Sequence, residues 1–92
     1  MPLTLTGRLI CTDRAQLDIL RTHLPEHIRL THLEPGCEHF EVTQSSDPLV
    51  WELHERFASR ADFEAHQART KASHWGQVSA GIARDYQITE SA

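Results

Sequence analysis

Several residues in the second half of the chain have the side chains and the spacing needed to move protons. His66, Thr70 and His74 follow one another at intervals of four, so an unbroken helix would place them on one face, whereas a break near Thr70 would separate them. Histidine titrates near neutral pH, which suits it to general base catalysis. Glu55 could orient a histidine or accept a proton. We therefore predict catalytic roles for His66, His74 and Glu55.

Each of these residues also has a purely structural interpretation, which the sequence leaves open. His66 could bond a neighbouring strand, His74 could lie at the surface, and Glu55 could pair with a nearby arginine or with another subunit. A zinc site shared by His66 and His74 is disfavoured, because they are eight residues apart rather than four and no third ligand has a recognisable spacing. We predict no metal site.

Aromatic side chains accompany the candidate catalytic residues and could hold a planar ring between them. The predicted substrate-binding residues are Trp51, Phe57, Phe63, Thr70 and Trp75. The alternative for the aromatic members is ordinary packing in the hydrophobic core. The first helical region adds His27 as a minor pocket candidate, and we expect its other histidines to be mainly exposed.

Length and charge limit the classes of protein to which this chain can belong. A chain of 92 residues is expected to form one domain, residues 1–92, with its core between about residues 3 and 90 and a short flexible C-terminal tail. The net charge of -4 indicates neither a nucleic-acid partner nor an anionic membrane surface. No apolar stretch approaches the roughly 20 residues of a membrane span, and no signal peptide is evident, so we expect a cytoplasmic protein. Cys11 and Cys37 are predicted to be buried free thiols.

The first half of the sequence predicts a strand followed by an interrupted helix. Alternating apolar residues indicate a strand over about residues 3–11, and Asp13 with Gln16 forms a plausible reciprocal helix cap. Pro25 is expected to end that helix, because proline lacks an amide hydrogen and clashes with the preceding turn. A second short helical piece would then place Leu30 and Leu33 toward the core. Residues 34–37 predict a type II turn.

The second half predicts a hairpin, a broken helical region and a last strand. Residues 38–44 and 49–57 form the hairpin, a helix begins at Ser59 or Arg60, a shorter helical segment covers 71–80, and the last strand covers about 82–89. The order β-α-β-β-α-β is typical of the α+β ferredoxin-like fold, a four-stranded antiparallel sheet with helices on one side. The other face of the sheet could contact solvent or a second copy.

A set of short motifs, in order along the chain, resembles the antibiotic biosynthesis monooxygenase domain and its quinol monooxygenase members. The motifs are Glu34-Pro35-Gly36-Cys37-x-x-Phe40-x-Val42-x-Gln44, Glu55-Arg56-Phe57, Ala61-x-Phe63-x-x-His66 and Ser73-His74-Trp75. The resemblance reaches from about residue 3 to residue 90. It implies a homodimeric α/β barrel with one small-molecule pocket per subunit. It also implies oxidation of a small phenolic, quinol or polyketide-type aromatic by molecular oxygen, in many members without a cofactor.

The sequence departs from this family at one point. Polyketide-oxidising and haem-degrading members use an asparagine together with a tryptophan and a tyrosine or histidine, but this chain has no asparagine. Two alternatives to a cofactor-independent oxygenase therefore stay open: a non-catalytic dimeric small-molecule-binding module, and a proton-transfer isomerase of the same fold. The resemblance also implies that Arg84 and Tyr86 lie at the dimer interface or at the pocket edge.

Overall fold

The computed structural model describes residues 1–90 and shows a ferredoxin-like α+β fold. Its elements are β1 (Leu3–Ile10), α1 (Arg14–His32), β2 (Cys37–Gln44), β3 (Val50–Phe57), α2 (Arg60–Ala72), α3 (His74–Val78) and β4 (Ala83–Glu90). All neighbouring strands are antiparallel, in the order β2-β3-β1-β4. The predicted fold is confirmed. The predicted flexible tail falls partly on residues 91–92, which lie outside the described residues.

The alternation of side chains along the strands creates one buried face of the sheet. Leu3, Leu5 and Leu9 of β1 are almost fully buried, and they pack with apolar residues of α1 and α2 in a single core. Cys11 is buried as predicted, whereas Cys37 is only partly buried. No helix within residues 1–90 is long and apolar enough to span a membrane.

Asp13 caps the N-terminus of α1 as predicted, but the return hydrogen bond of Gln16 is made with Thr12 rather than with Asp13. Asp13 Oδ1 accepts a hydrogen bond from the Gln16 amide at 2.9 Å, and Gln16 Oε1 accepts one from the Thr12 amide at 2.8 Å. The Gln16 side chain also donates to the Gly81 carbonyl at 3.0 Å. The start of α1 is thereby tied to the segment that leads into β4.

The predicted helix break at Pro25 is wrong. Helix α1 continues through Pro25 to His32. Proline removes the hydrogen bond to the carbonyl four residues earlier, which belongs to Arg21. Both Arg21 and Pro25 are exposed, so water can solvate that carbonyl and the helix continues.

An unbroken α1 changes which residues of its second half face the core. Leu33 is 68% exposed and Leu30 is only half-buried, so the predicted inward position of Leu33 is wrong. Leu24, His27 and Thr31 are buried instead, because they continue the inward stripe of the first half at helical spacing. A histidine therefore lies inside the molecule.

The predicted turn between α1 and β2 is present but is not of type II. The Cys37 amide donates to the Glu34 carbonyl at 3.1 Å, which closes the turn. Gly36 does not have the positive φ that a type II turn requires at this position. A Cβ atom on Gly36 would lie 2.2 Å from Cγ of Asp62, so glycine at this position allows the turn to pack closely against α2.

Helix α2 begins as predicted and ends before the second candidate histidine. Ser59 caps it by accepting a hydrogen bond from the Asp62 amide at 3.2 Å. Ser73, with extended backbone, ends α2 and caps α3. Its hydroxyl donates to the Thr70 carbonyl at 2.6 Å and accepts from the Gly76 amide at 3.1 Å. The helix axis therefore changes between Thr70 and His74.

A test of the fold compares two glycines. A Cβ atom on Gly7 would lie 2.3 Å from the Asp85 carbonyl oxygen and 2.7 Å from Cδ1 of Tyr86, whereas one on Gly81 would meet nothing closer than Gln16 Nε2 at 3.7 Å. We expect Gly7→Ala to lower the free energy of unfolding by about 1–3 kcal/mol, because β1 and β4 must separate. Gly81→Ala should leave it unchanged or raise it by up to about 1 kcal/mol. Urea unfolding measures both, and equal stability of the two variants would contradict this packing.

Candidate active site

A cavity of about 300 Å³ lies between the sheet and the helices. Its walls include apolar and aromatic side chains: Leu9, Leu24, Phe40, Leu53, Trp75 and Tyr86. Its polar lining consists of His27, Glu55, His66, Gln67, Thr70, Lys71 and Arg84. The volume falls at the lower end of the range for small-molecule sites, about 300–1,000 Å³.

His66 is the most constrained polar residue of the cavity. Its side chain is 2% exposed, and its Nδ1 lies 3.0 Å from Oε1 of Glu34. Arg69 Nε donates to the same carboxylate oxygen at 2.7 Å, so this oxygen acts as a hydrogen-bond acceptor. We therefore assign the ring proton to Nδ1, which donates to Glu34. This tautomer leaves the lone pair on Nε2.

The unprotonated nitrogen of His66 faces the polar groups of the cavity. Nε2 lies 3.4 Å from the hydroxyl oxygen of Thr70 and 3.8 Å from Oε1 of Glu55. All three residues line the cavity. Burial lowers the pKa of His66 below its usual value, although the hydrogen bond and the charge of Glu34 partly offset this effect. The imidazole is consequently neutral at neutral pH and able to accept a proton.

Glu55 stands in the buried apolar face of the sheet. It is 4% exposed, and its neighbours across the strands are Leu5 on β1 and Phe40 on β2. Among residues 1–90, its Oε1 has no hydrogen-bond partner. Burial, and secondly the charge of Glu34, raises the pKa of Glu55 from 4.5 to about 8. Glu55 is therefore mainly a neutral carboxylic acid at neutral pH, and it can donate a proton.

His27 forms part of the wall opposite the sheet. It is 4% exposed, stacks on the Trp75 indole with ring centroids 5.8 Å apart, and lies 5.5 Å from the His66 ring. Burial, followed by the neighbouring His66, lowers the pKa of His27 to about 3. Within residues 1–90 its Nδ1 has no hydrogen-bond partner. His27 thus offers the cavity a neutral ring.

Two residues of β4 complete the cavity at its edge. Tyr86 lies across from Gly7 of β1, and burial raises the pKa of its phenol to about 12. Arg84 lies two residues before Tyr86, so both side chains are on the same face of the sheet, and Arg84 lies across from Leu9 of β1. The structure thus places both at the pocket edge, one of the two positions that the resemblance implied.

The structure brings four of the predicted site residues together around the cavity and leaves the others outside it. His66, Glu55, Thr70 and Trp75 line the cavity. The rest lie elsewhere: Phe57 and Phe63 pack on each other in the core at 5.7 Å, and Trp51 donates to the Pro48 carbonyl at 3.2 Å. Phe57 still touches the site indirectly, since its ring centroid lies 4.9 Å from that of His66.

The helix breaks shortly after Thr70, which is the alternative that the sequence left open, so His66, Thr70 and His74 do not share one face. His74 is exposed and belongs to α3, beyond the extended residue Ser73. Its ring contacts His23 of α1, with centroids 4.8 Å apart. Within residues 1–90, no three His, Cys, Asp or Glu side chains are placed so as to hold a metal ion.

Three residues that matter to the site were missed or given little weight at the sequence level. Glu34 and Arg69 fix the His66 ring, and His27 lines the cavity. His27 and Thr31 lie three and seven residues after the buried Leu24, which is the spacing of one face of an unbroken helix. This pattern indicates His27 only if the helix continues through Pro25. Glu34 is 32 residues from His66, and no local pattern records that contact.

Comparison with solved structures shows the same fold in several bacterial proteins. Rv0793 from Mycobacterium tuberculosis superposes with a TM-score of 0.78 at 21% identity, covering 100% of this chain and 96% of that one. PA3566 from Pseudomonas aeruginosa gives 0.78 at 18% identity, covering 99% and 94%. SnoaB, a cofactor-independent oxygenase from Streptomyces nogalater, gives 0.81 at 8% identity, covering 99% and 93%.

Comparison of the sequence with known families identifies the chain. A search of curated proteins gives no significant match. The sequence profile described as antibiotic biosynthesis monooxygenase matches residues 8–77, a range that includes Glu34, Glu55, His66 and Trp75. This chain belongs to the antibiotic biosynthesis monooxygenase family.

Proposed function

We propose that this protein is a cofactor-independent monooxygenase that oxidises a small phenolic, quinol or polyketide-type aromatic with molecular oxygen. The observation that carries the proposal is the buried His66 ring, which is hydrogen-bonded to Glu34 through Nδ1 and whose Nε2 faces a cavity walled by Phe40, Trp75 and Tyr86. Family membership supports monooxygenase chemistry in general. The residues below are assigned from the geometry and charge of the cavity.

The first step is removal of a phenolic proton from the substrate. The substrate hydroxyl donates to Nε2 of His66, and the ring takes the proton while its Nδ1 hydrogen stays on Glu34. The resulting imidazolium lies against the Glu34 carboxylate, which offsets its charge inside the protein. The Thr70 hydroxyl oxygen lies 3.4 Å from Nε2, which is close enough to orient the substrate hydroxyl.

The phenolate then supplies the electrons that reduce oxygen. One electron passes from the ring to oxygen, the two radicals combine at a ring carbon, and the peroxide breaks down to a quinone and water. In total a ring C–H becomes C=O, one oxygen atom enters the product, and the other leaves as water. All four electrons that reduce oxygen come from the substrate, so the balance requires no further reductant.

Breakdown of the peroxide requires a proton donor, and Glu55 has the properties of one. Its pKa of about 8 keeps it protonated at neutral pH, and its Oε1 lies 3.8 Å from Nε2 of His66. A proton that Glu55 gives to the departing oxygen can be replaced by the one that His66 took in the first step. The two residues thus return to their starting states at the end of the cycle.

We further propose that residues 1–92 act as a single domain and as a homodimer. A 92-residue domain has a thin core, so association is a plausible extra source of stability. Within the described residues 1–90, no helix covers the face of the sheet that carries Thr6, Glu52 and His54, and these side chains are exposed in the isolated chain. Light scattering coupled to gel filtration measures the mass of the particle directly.

The central prediction compares two histidines that are eight residues apart. With a panel of hydroquinones, we expect wild-type protein to consume oxygen and His66→Ala to do so at least about 100-fold more slowly, because the base is lost. His74→Ala is the matched control, since His74 lies outside the cavity, and its rate should stay within about twofold of wild type. An oxygen electrode provides the measurement.

The outcomes of that assay separate the competing functions. Equal inactivity of wild type and His66→Ala across the panel would contradict the oxygenase proposal. Turnover under nitrogen that depends on His66 would indicate the isomerase, and tight binding without any change to the ligand would indicate the binding module. Thermal unfolding of each variant checks that a lost rate does not reflect a lost fold.

A further prediction concerns Glu55 and pH. Its pKa is about 8 in the folded chain and 4.5 when unperturbed, so between these values the folded state binds more protons and stability falls as pH rises. From pH 6.5 to 8 we expect a net loss on the order of 1 kcal/mol in the free energy of unfolding. The lowered pKa values of His27 and His66 act in the opposite direction, because these side chains still lose protons in the unfolded state between pH 6.5 and about 7.5. The contribution of Glu55 is therefore larger than the net loss and is obtained by difference from Glu55→Gln.

Glu55→Gln tests this assignment, because its amide keeps the size of the side chain and does not titrate. Its stability should not fall between pH 6.5 and 8 and should rise slightly, as the unfolded histidines lose their protons. At pH 8 it should exceed that of wild type. Urea unfolding at several pH values gives the measurement. A wild-type stability that rises across this window would show that Glu55 is ionised in the folded protein.

A further inference from the structure

The charges around the cavity differ in sign from those of the chain as a whole. The chain has a net charge of -4, yet the cationic residues that line the cavity are Lys71 and Arg84, and Glu55 is the only lining carboxyl among residues 1–90. Burial keeps Glu55 mainly protonated at neutral pH, and the Glu34 carboxylate behind His66 is neutralised by Arg69. The cavity therefore attracts anions.

Arg84 is a preorganised donor at the cavity edge. Its Nη1 donates to the carbonyls of Ser79 at 2.9 Å and Ile82 at 2.8 Å, and its Nη2 donates to the Ser79 hydroxyl at 2.7 Å. Ser79 is fully buried, so the guanidinium is anchored to a rigid part of the fold. These bonds use three of the five N–H groups of the guanidinium. The Tyr86 phenol also interacts with the Arg84 side chain, so a ligand at the mouth would share the remaining N–H groups with Tyr86.

The two cations lie on the solvent side of the cavity, and the proton-transfer groups lie on its inner side. Lys71 and Arg84 are exposed, whereas His66 and Glu55 are buried. An aromatic ring between the two sets would contact Trp75 and Tyr86 along its faces and edges. A molecule that fills this space therefore needs a hydroxyl at one end and an anionic group at the other.

We propose that the substrate is an aromatic acid, whose carboxylate pairs with Arg84 and Lys71 at the cavity mouth while its phenolic hydroxyl faces Nε2 of His66. This inference rests on the proposed function for the role of the hydroxyl. A guanidinium fork matches the two oxygens of a carboxylate, which makes a carboxylate the best fit among organic anions of this size. Arg84 and Lys71 are then specificity-determining residues that take no part in the proton transfer.

A matched pair of ligands tests the proposal without any turnover. 2,5-Dihydroxybenzoate and 2,5-dihydroxybenzamide share the ring and the hydroxyls and differ in charge at one substituent. Under nitrogen, calorimetric titration should show the benzoate binding about tenfold more tightly than the benzamide to wild-type protein. Raising the salt concentration should reduce this preference.

Two variants and a control assign the preference to the named residues. Arg84→Gln should remove most of it, and Lys71→Gln should reduce it several-fold, with no effect of either on the benzamide. Arg84→Gln also removes the bonds to Ser79 and Ile82, so Lys71→Gln, at an exposed position, is the variant that leaves the fold intact. Arg14→Gln is the control, because Arg14 is an exposed cation that pairs with Asp18 on α1, and it should change nothing.

Each outcome decides the question. Equal affinity for the two ligands, no binding of either, or a preference that survives in both variants would overturn the aromatic-acid proposal. Because the titration excludes oxygen, its result is independent of the oxygenase proposal. A carboxylate preference without oxygen uptake would support the aromatic-acid ligand and contradict the oxygenase reaction. Oxygen uptake on neutral quinols without a carboxylate preference would support the oxygenase reaction and contradict the aromatic-acid ligand.

Discussion

The hydrogen bond from His66 to Glu34 is the interaction on which the rest of the site depends. It joins the turn after α1 to the middle of α2, and Arg69 closes the same junction by bonding both Glu34 and the Thr31 hydroxyl. Without an ionised acceptor at Nδ1, the buried ring could carry its proton on either nitrogen. With Glu34 in place, the lone pair is directed to the cavity and the base has a defined position.

The same cavity contains a second ionisable group, Glu55, whose charged form is disfavoured by desolvation. Glu55 occupies a position in the apolar row of β3, between Leu5 and Phe40 on the adjacent strands. A carboxylate there would lose its hydration without gaining a cation, so the neutral acid is favoured. An acid and a base with opposite proton occupancy thus lie 3.8 Å apart at one pH, which is the arrangement that proton shuttling requires.

The cavity itself exists because the elements around it stop or turn at particular residues. Ser73 ends α2 and turns Trp75 inward while His74 turns outward. Gly7 leaves room for the Tyr86 ring and the β4 backbone beside β1. Arg84 satisfies carbonyl groups after α3 and at the same time holds a positive charge at the mouth. One set of packing constraints therefore shapes the walls and sets the charge at the entrance.

By itself the sequence determined the order of the elements, the buried faces of the strands and the residues that cap α1 and α2, because periodicity and capping are short-range properties. It named His66 as a candidate base without fixing which way its ring faces. It also pointed to Glu55 as a site residue and to the family. Only the tertiary structure decided that α1 passes through Pro25 and buries His27, that Glu34 orients His66, that Glu55 holds its proton, and that His74 lies outside. Those outcomes depend on which distant segments exclude water from a side chain, and spacing along the chain carries no record of that exclusion.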